Sequence, residues 1–440
     1  MTTHDALSER EHDEMRDLVL AGTQSIRPAD SRRAQFTAIA VSLVLVGAVA
    51  GGAIATSLTG ETQPAPVTTS DPTPAPGPEE NWVAFSSGGN IHLVREGAAP
   101  HMILGSEGDG IDQICPAFSP DGRRLASGEG IGDARTGVRD PALVITDLDA
   151  AGEATASESI PLGALSPPPC PIWSPDGRWI AFGGTPVSGA PWGMVDGVWL
   201  VEVDTREIRH LTDLAATDIE WAATASVLYI ADESGILAYS AADDETRAIP
   251  DTAGAVAIGT DPRSGDLAVE WSRPSGRYDL GLMAPDGSGR RTLVEGYTRD
   301  RGIGPVWSPD GRRIVFQRSD GSPPPAPDEI ANAGEHDEAV VVSVTADDAL
   351  GPVGTQTVVA PVATGTARQW RPVAVSWAPS GEALRFTGWE LLASGEMGAG
   401  SALLTVPVTD AAAATVLWET PEGIGSDVFP QNDFQSWSMR

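Results

Sequence analysis

The sequence predicts an all-β fold, a closed ring of seven small antiparallel sheets set behind one N-terminal transmembrane helix. Three observations predict it: one strand-turn-strand phrase recurs seven times along the 440 residues, its turn chemistry is that of a hairpin, and an uncharged apolar segment precedes every copy. The phrase is clearest in Phe118-Ser119-Pro120-Asp121-Gly122, Trp173-Ser174-Pro175-Asp176-Gly177 and Trp307-Ser308-Pro309-Asp310-Gly311, with Trp377-Ala378-Pro379-Ser380-Gly381 one step removed. Serine at the first turn position, proline at the second and glycine at the fourth suit a type I turn, and the glycine can take the left-handed conformation that closes a hairpin. An apolar strand follows each turn, as in Trp179-Ile180-Ala181-Phe182 and Ile314-Val315-Phe316. Such units, recurring about every 40 to 50 residues, read as the blades of a β-propeller.

The elements follow in chain order. Residues 1–35 form a short tail in which Met15, Leu18 and Val19 fall at helical spacing, an edge able to dock on a cytoplasmic partner. Residues 36–58 carry no charge, and about 20 apolar residues suffice to cross a bilayer as a helix. Arg27, Arg32 and Arg33 flank the start of that segment and no basic residue closely follows it, which places the tail in the cytoplasm and the remainder outside. An alternative stays open: Ser31-Arg32-Arg33 resembles a twin-arginine export signal and Ala53-Ile54-Ala55 a cleavage site, which would make the segment a removed leader. Residues 59–80 are rich in proline, so they read as a stiff extended linker. The propeller is expected over residues 81–440.

Counting its blades requires two degenerate copies. They are Trp221-Ala222-Ala223-Thr224 before Val227-Leu228-Tyr229-Ile230, and Gly259-Thr260-Asp261-Pro262 before Leu267-Ala268-Val269-Glu270-Trp271. The chain ends in Phe434-Gln435-Ser436-Trp437-Ser438, a first half without a second, and the domain opens with Trp82-Val83-Ala84-Phe85, a second half without a first. Pairing the two completes the seventh blade and removes an exposed sheet edge.

This repeat resembles the WD40-like (PD40-type) repeat of TolB-like propellers, which also occurs in the propeller domains of prolyl-oligopeptidase-like enzymes. The resemblance covers nearly all of residues 81–440. It implies a protein- or ligand-binding propeller, often at the cell envelope, and it transfers no catalytic residue because the shared positions are structural. The best known member has six blades, which keeps a six-bladed ring as the alternative to seven. Trp173, Trp307 and Trp377 are expected to pack blade against blade.

The repeats differ at the junction between second and third strands. It is short near residues 86–90, 231–235 and 272–278, and long at residues 128–141, 183–197, 318–338 and 388–401. Because strands alternate in direction, these insertions fall on one face of the disc, in neighbouring blades. They predict a binding rim, with Arg135, Arg139, Trp192, Met194 and Trp389 as the large or cationic side chains able to supply contact energy. Neutral loop growth is the alternative.

Other chemistry is sparse. No Gly-x-Ser-x-Gly elbow occurs, and the chain has 6 histidines, two of them in the tail, so neither a serine hydrolase nor a histidine metal centre is expected. No cofactor is expected either. A formal charge of -33, with arginine supplying all 28 basic residues, argues against nucleic acid as a partner. The 2 cysteines, Cys115 and Cys170, each stand four residues before the serine position of neighbouring blades and each precedes a proline. In an exported domain that equivalence predicts a disulfide between the second and third blades, against two separate buried thiols. The expectation is therefore an envelope-anchored, extracytoplasmic propeller that binds a protein or cell-wall ligand. Two other functions stay open: a carboxylate-based glycan- or peptide-processing enzyme, and a transmembrane sensor signalling through its tail.

Overall fold

The computed structural model describes residues 82–105, 111–131, 139–163, 170–183, 197–214, 216–232, 234–299, 304–319, 337–364, 368–392 and 397–419. All belong to one compact unit, Asp71–Arg440. The expected tail, transmembrane helix and linker lie outside the described residues, as does the segment Phe434 to Ser438. Among the described residues the structure is β throughout, apart from a single 3-10 turn at Ala411–Ala413.

Seven antiparallel sheets follow one another in chain order. The first holds Val83–Ser87, Asn90–Val94 and His101–Leu104. The second holds Ile111–Phe118, Arg124–Ile131, Arg139–Leu148 and Ala154–Pro161, and the third Ile172–Trp173, Trp179–Gly183, Val198–Glu202 and Ile208–Thr212. The fourth comprises Asp218–Trp221, Val227–Asp232, Gly235–Ser240 and Glu245–Ile249. The fifth comprises Ala255–Thr260, Leu267–Ser272, Tyr278–Met283 and Arg291–Tyr297. The sixth has Val306–Trp307, Arg313–Ser319, Asp337–Ser343 and Gln356–Ala360. The seventh gains a strand, running Val362–Ala363, Gln369–Trp377, Ala383–Leu391, Met397–Pro407 and Thr415–Glu419.

The core consists of the seams between successive sheets, because each strand buries alternate side chains against a different neighbour. Leu125 packs toward the first sheet and Ala126 toward the third, Ile180 toward the second and Ala181 toward the fourth. The same division continues round to the seventh sheet, where Leu384 and Phe386 face the sixth. A last apolar cluster joins Leu403 of the seventh sheet to Val83, Phe85 and Val94 of the first, with the Phe85 and Trp418 rings 5.1 Å apart. A fan of seven sheets has six seams and a ring has seven. The described core contains seven, so the ring is closed and the six-bladed alternative is excluded.

The repeated phrase forms the turn that its residues predict. Ser119, Ser174 and Ser308 each donate a hydroxyl hydrogen bond of 2.6 Å to the aspartate two residues on. The same hydroxyls accept the amides of Arg124, Trp179 and Arg313. Gly122, Gly177 and Gly311 hold φ of 64°, 68° and 65°, the left-handed region that excludes most residues with a β-carbon. In the indoles the sequence reading was incomplete. They pack the blades as expected, and each also donates to a carbonyl of the preceding sheet's first strand: Trp173 to Ala117, Trp221 to Ile172, Trp307 to Gly259 and Trp377 to Val306. That strand has a free edge toward the ring's axis, so its outward carbonyls need such partners. Where the fifth copy replaces the aromatic by Thr260, the threonine hydroxyl donates to Trp221 O at 2.9 Å instead.

Cys115 and Cys170 form a disulfide, with Cα atoms 4.9 Å apart. The strand Ile111–Phe118 shifts register between Ile114 and Ala117, and Cys115 within that bulge takes φ 55°. The expected staple between second and third sheets is present.

Candidate functional site

The short and long junctions are those the sequence indicated. Ser87 pairs directly with Asn90 across Gly88 and Gly89, both at positive φ, and Asp232 pairs with Gly235. In two of the long junctions the described residues continue as paired strands. In the second sheet pairing runs out to Ile131 opposite Arg139, and in the seventh to Leu391 opposite Met397. The described extra residues thus prolong the strands into two arms on the same end of the ring, one on each side of the first sheet. Backbone pairing fixes an arm far more firmly than an unpaired insertion of equal length. The other two long junctions are described only as far as the pairs Gly183 with Val198 and Ser319 with Asp337.

The five rim residues are accordingly divided. Arg135, Trp192 and Met194 lie outside the described residues. Arg139 begins a strand of the second sheet's arm. Trp389 sits half-buried in the seventh sheet's arm, cross-strand from Arg371 and Ser401. Beyond it Leu392 stands 42% exposed. The structure thus places Arg139 and Trp389 on flanking arms and does not bring the five into one described surface.

The sequence reading missed a second group, on the first strands of the fourth and fifth sheets. Asp218 and Glu220 are two residues apart on Asp218–Trp221 and so share one face. The Ile258 amide donates to Asp218 Oδ2 at 2.8 Å, and the Thr260 hydroxyl, whose one proton is shared with Trp221 O, lies 3.3 Å from Glu220 Oε1. Ile258 and Thr260 belong to the neighbouring first strand, so the two carboxylates bind its free edge across the seam. Gly304, at the start of the sixth sheet, passes so near that a β-carbon there would lie 3.0 Å from Asp218 Oδ2. Both acids remain partly accessible, yet protein surrounds them, and burial dominates their titration. Burial pushes Asp218 up to about 7, against the Ile258 and Ile219 amides and the Arg299 charge, which act to lower it. Burial, and then repulsion from Asp218, pushes Glu220 up to about 8. Acids in this range can exchange protons near neutrality.

Beside them lies a buried polar trio. Arg299 Nη1 is 2.9 Å from Glu270 Oε2, the Tyr297 hydroxyl donates to Glu270, and the Arg299 guanidinium lies 4.7 Å over the Tyr278 ring. Burial and the Glu270 charge drive the Tyr297 phenol well above its ordinary range, so it serves as a donor and not as a phenolate. Among the described residues no three His, Cys, Asp or Glu side chains are grouped to hold a metal ion. One sequence signal did mark the carboxylates. Positions one and three before the repeat's aromatic are Ala117 and Cys115, Ile172 and Cys170, Gly259 and Ala257, Val306 and Gly304, and charged only as Glu220 and Asp218.

No model of a known protein family and no curated protein matches the chain. Among solved structures it is similar to TolB from Acinetobacter baumannii, at 17% identity and a TM-score of 0.39 over 62% of this chain and 63% of that one. It is similar also to a puromycin-hydrolyzing peptidase from Mycobacterium tuberculosis, at 18% identity and a TM-score of 0.45 over 70% of this chain and 49% of that one. A eukaryotic initiation factor aligns at 10% identity with a TM-score of 0.41, covering 77% and 85% of the two chains. The chain therefore spans under two thirds of the first of these proteins and about half of the second. By its own seven sheets and seven seams, the chain is a seven-bladed β-propeller built on a repeated Ser-Pro-Asp-Gly turn.

Proposed function

We propose that this chain is an envelope-anchored, extracytoplasmic propeller that binds a protein or cell-wall ligand through the end of the ring bearing its long junctions. The pair of arms carries this reading. Paired strands that project from the second and seventh sheets on either side of the first offer two firm edges between which a ligand can lie, and the exposed Leu392 on one arm supplies apolar contact area. The apolar segment at residues 36–58 and the arginines before it support the anchored, outward-facing orientation.

Replacing residues 389–400 and 129–140 by two-residue glycine turns tests the reading. The trimmed full-length chain is expected to keep its melting temperature within a few degrees and to lose its cross-linked envelope partners. Undiminished partner recovery from the doubly trimmed chain would refute it.

The carboxylates favour one second reading, a glycan- or peptide-processing enzyme with Asp218 and Glu220 as acid and base. Their engagement with the Ile258 amide and the Thr260 hydroxyl weighs against it, since those bonds occupy the acceptors in a structural role. Turnover of a model glycan or peptide that Asp218→Asn and Glu220→Gln abolish without unfolding the chain would move the assignment to the enzyme.

A further inference from the structure

One equivalent position separates the seventh sheet from the other six. It is the residue after the one paired with the repeat's aromatic, and it faces the next sheet in the ring. In sheets two to six it is Ala126, Ala181, Tyr229, Ala268 and Val315, and on the corresponding strand of the first sheet Ala84 likewise faces the next sheet, each within the apolar cluster of its seam. In the seventh it is Arg385, next to Leu384, which pairs with Trp377. Arg385 is 5% exposed.

Among the described residues no hydrogen-bonded carboxylate neutralises it. Nε and Nη1 of Arg385 are buried without a hydrogen-bond partner, and so are the hydroxyls of Thr387 and Thr405. Thr405 pairs cross-strand with Arg385, and Thr387 with Leu403. Leu403 packs on Val83 and Phe85 of the first sheet. All these groups therefore project from one face into the seam between sheets seven and one. Arg371, on Gln369–Trp377, lies on the same face and adds a second guanidinium. The carboxylate acting on Arg385 is Glu96, exposed on the first sheet; burial lowers the guanidinium's pKa and Glu96 only partly offsets it.

We propose that this seam is an anion site, in which Arg385 and the hydroxyls of Thr387 and Thr405 take a small oxyanion. A guanidinium offers a planar set of donors suited to carboxylate or phosphate oxygens, and threonine hydroxyls can donate to the same group. A cation placed where six equivalent positions are apolar weakens the seam unless an anion fills its donors, so binding there tightens the joint that closes the ring.

Thermal unfolding of the full-length chain in detergent tests this, with inorganic phosphate replacing chloride at constant ionic strength. The wild type is expected to rise by several degrees and to saturate. Arg385→Val is expected to ignore phosphate and, in chloride, to melt at or above the wild type; Arg385→Lys is expected to keep a smaller rise. Calorimetric titration of the wild type gives a reading that does not depend on the variants folding, with one phosphate bound per chain. A wild type unmoved by phosphate and showing no binding heat, or an Arg385→Val chain that rises equally, would overturn the proposal.

Discussion

Trp173, Trp221, Trp307 and Trp377 each act twice, as a wedge between blades and as a donor to a carbonyl on the preceding sheet's free edge. Trp377→Phe keeps the ring and removes the donor to Val306, so it is expected to cost about 1 kcal/mol in a denaturant titration. Asp218 and Glu220 treat the same kind of edge through the Ile258 amide and the Thr260 hydroxyl, with a consequence for pH. Both folded pKa values, about 7 and about 8, exceed those of free carboxyls near 4, so the folded state holds extra protons between them. This contribution to stability is full below about pH 4, falls as pH rises through 7 to 8 and is level above. The Asp218→Asn, Glu220→Gln chain is expected to gain on the wild type by about 1 to 4 kcal/mol between pH 5 and pH 8.5, read from unfolding midpoints. Equal pH slopes for both chains would show that the two acids ionise freely. The aromatic and cysteine positions were legible because equivalence between repeats assigns them a neighbour. Asp218, Glu220 and Arg385 were legible only as departures from the residue types at their repeat positions, because alternation tells which face a side chain takes and not what waits opposite.

At the scale of elements, the hairpins were legible down to the residues that bond within each turn. The arms were legible as insertions only. Residues 388–401 contain Gly398-Ala399-Gly400, small residues with little strand preference, yet the register carries strand pairing from Trp377 out to Leu391 opposite Met397. Cross-strand pairing continued from a stable hairpin needs little propensity of its own, which is why small residues can stand in the arm. The staple makes a sharper prediction. Its two cysteines are 55 residues apart, which in the chain-entropy account corresponds to about 4 kcal/mol as an upper figure. Cys115→Ser with Cys170→Ser is expected to lower the unfolding free energy by about 2 to 4 kcal/mol, and intact mass after alkylation without reductant should show no adduct on the wild type. Two adducts would mean that the thiols are free in the purified protein.

For the whole molecule, the seven seams explain why the ring is legible from the repeat count, since every copy must meet a neighbour on both faces. What the repeat cannot give is the ligand, because the positions that define it are spent on turns and seams. Orientation rests on Arg27, Arg32 and Arg33 before the apolar segment. Protease added to intact spheroplasts is expected to digest the propeller and spare a tag at Met1, and a protected propeller would reverse the topology. The central claim, recognition at the end that bears the arms, is tested most directly by photo-crosslinking in living cells. A crosslinking amino acid is placed in turn at Leu392 and Gly130 on the arms, and at Glu382 and Asp121 in turns at the opposite end of the ring. A discrete adduct of the same mass is expected from Leu392 and Gly130 and none from Glu382 or Asp121; adducts confined to Glu382 and Asp121 would put recognition at the other end of the ring.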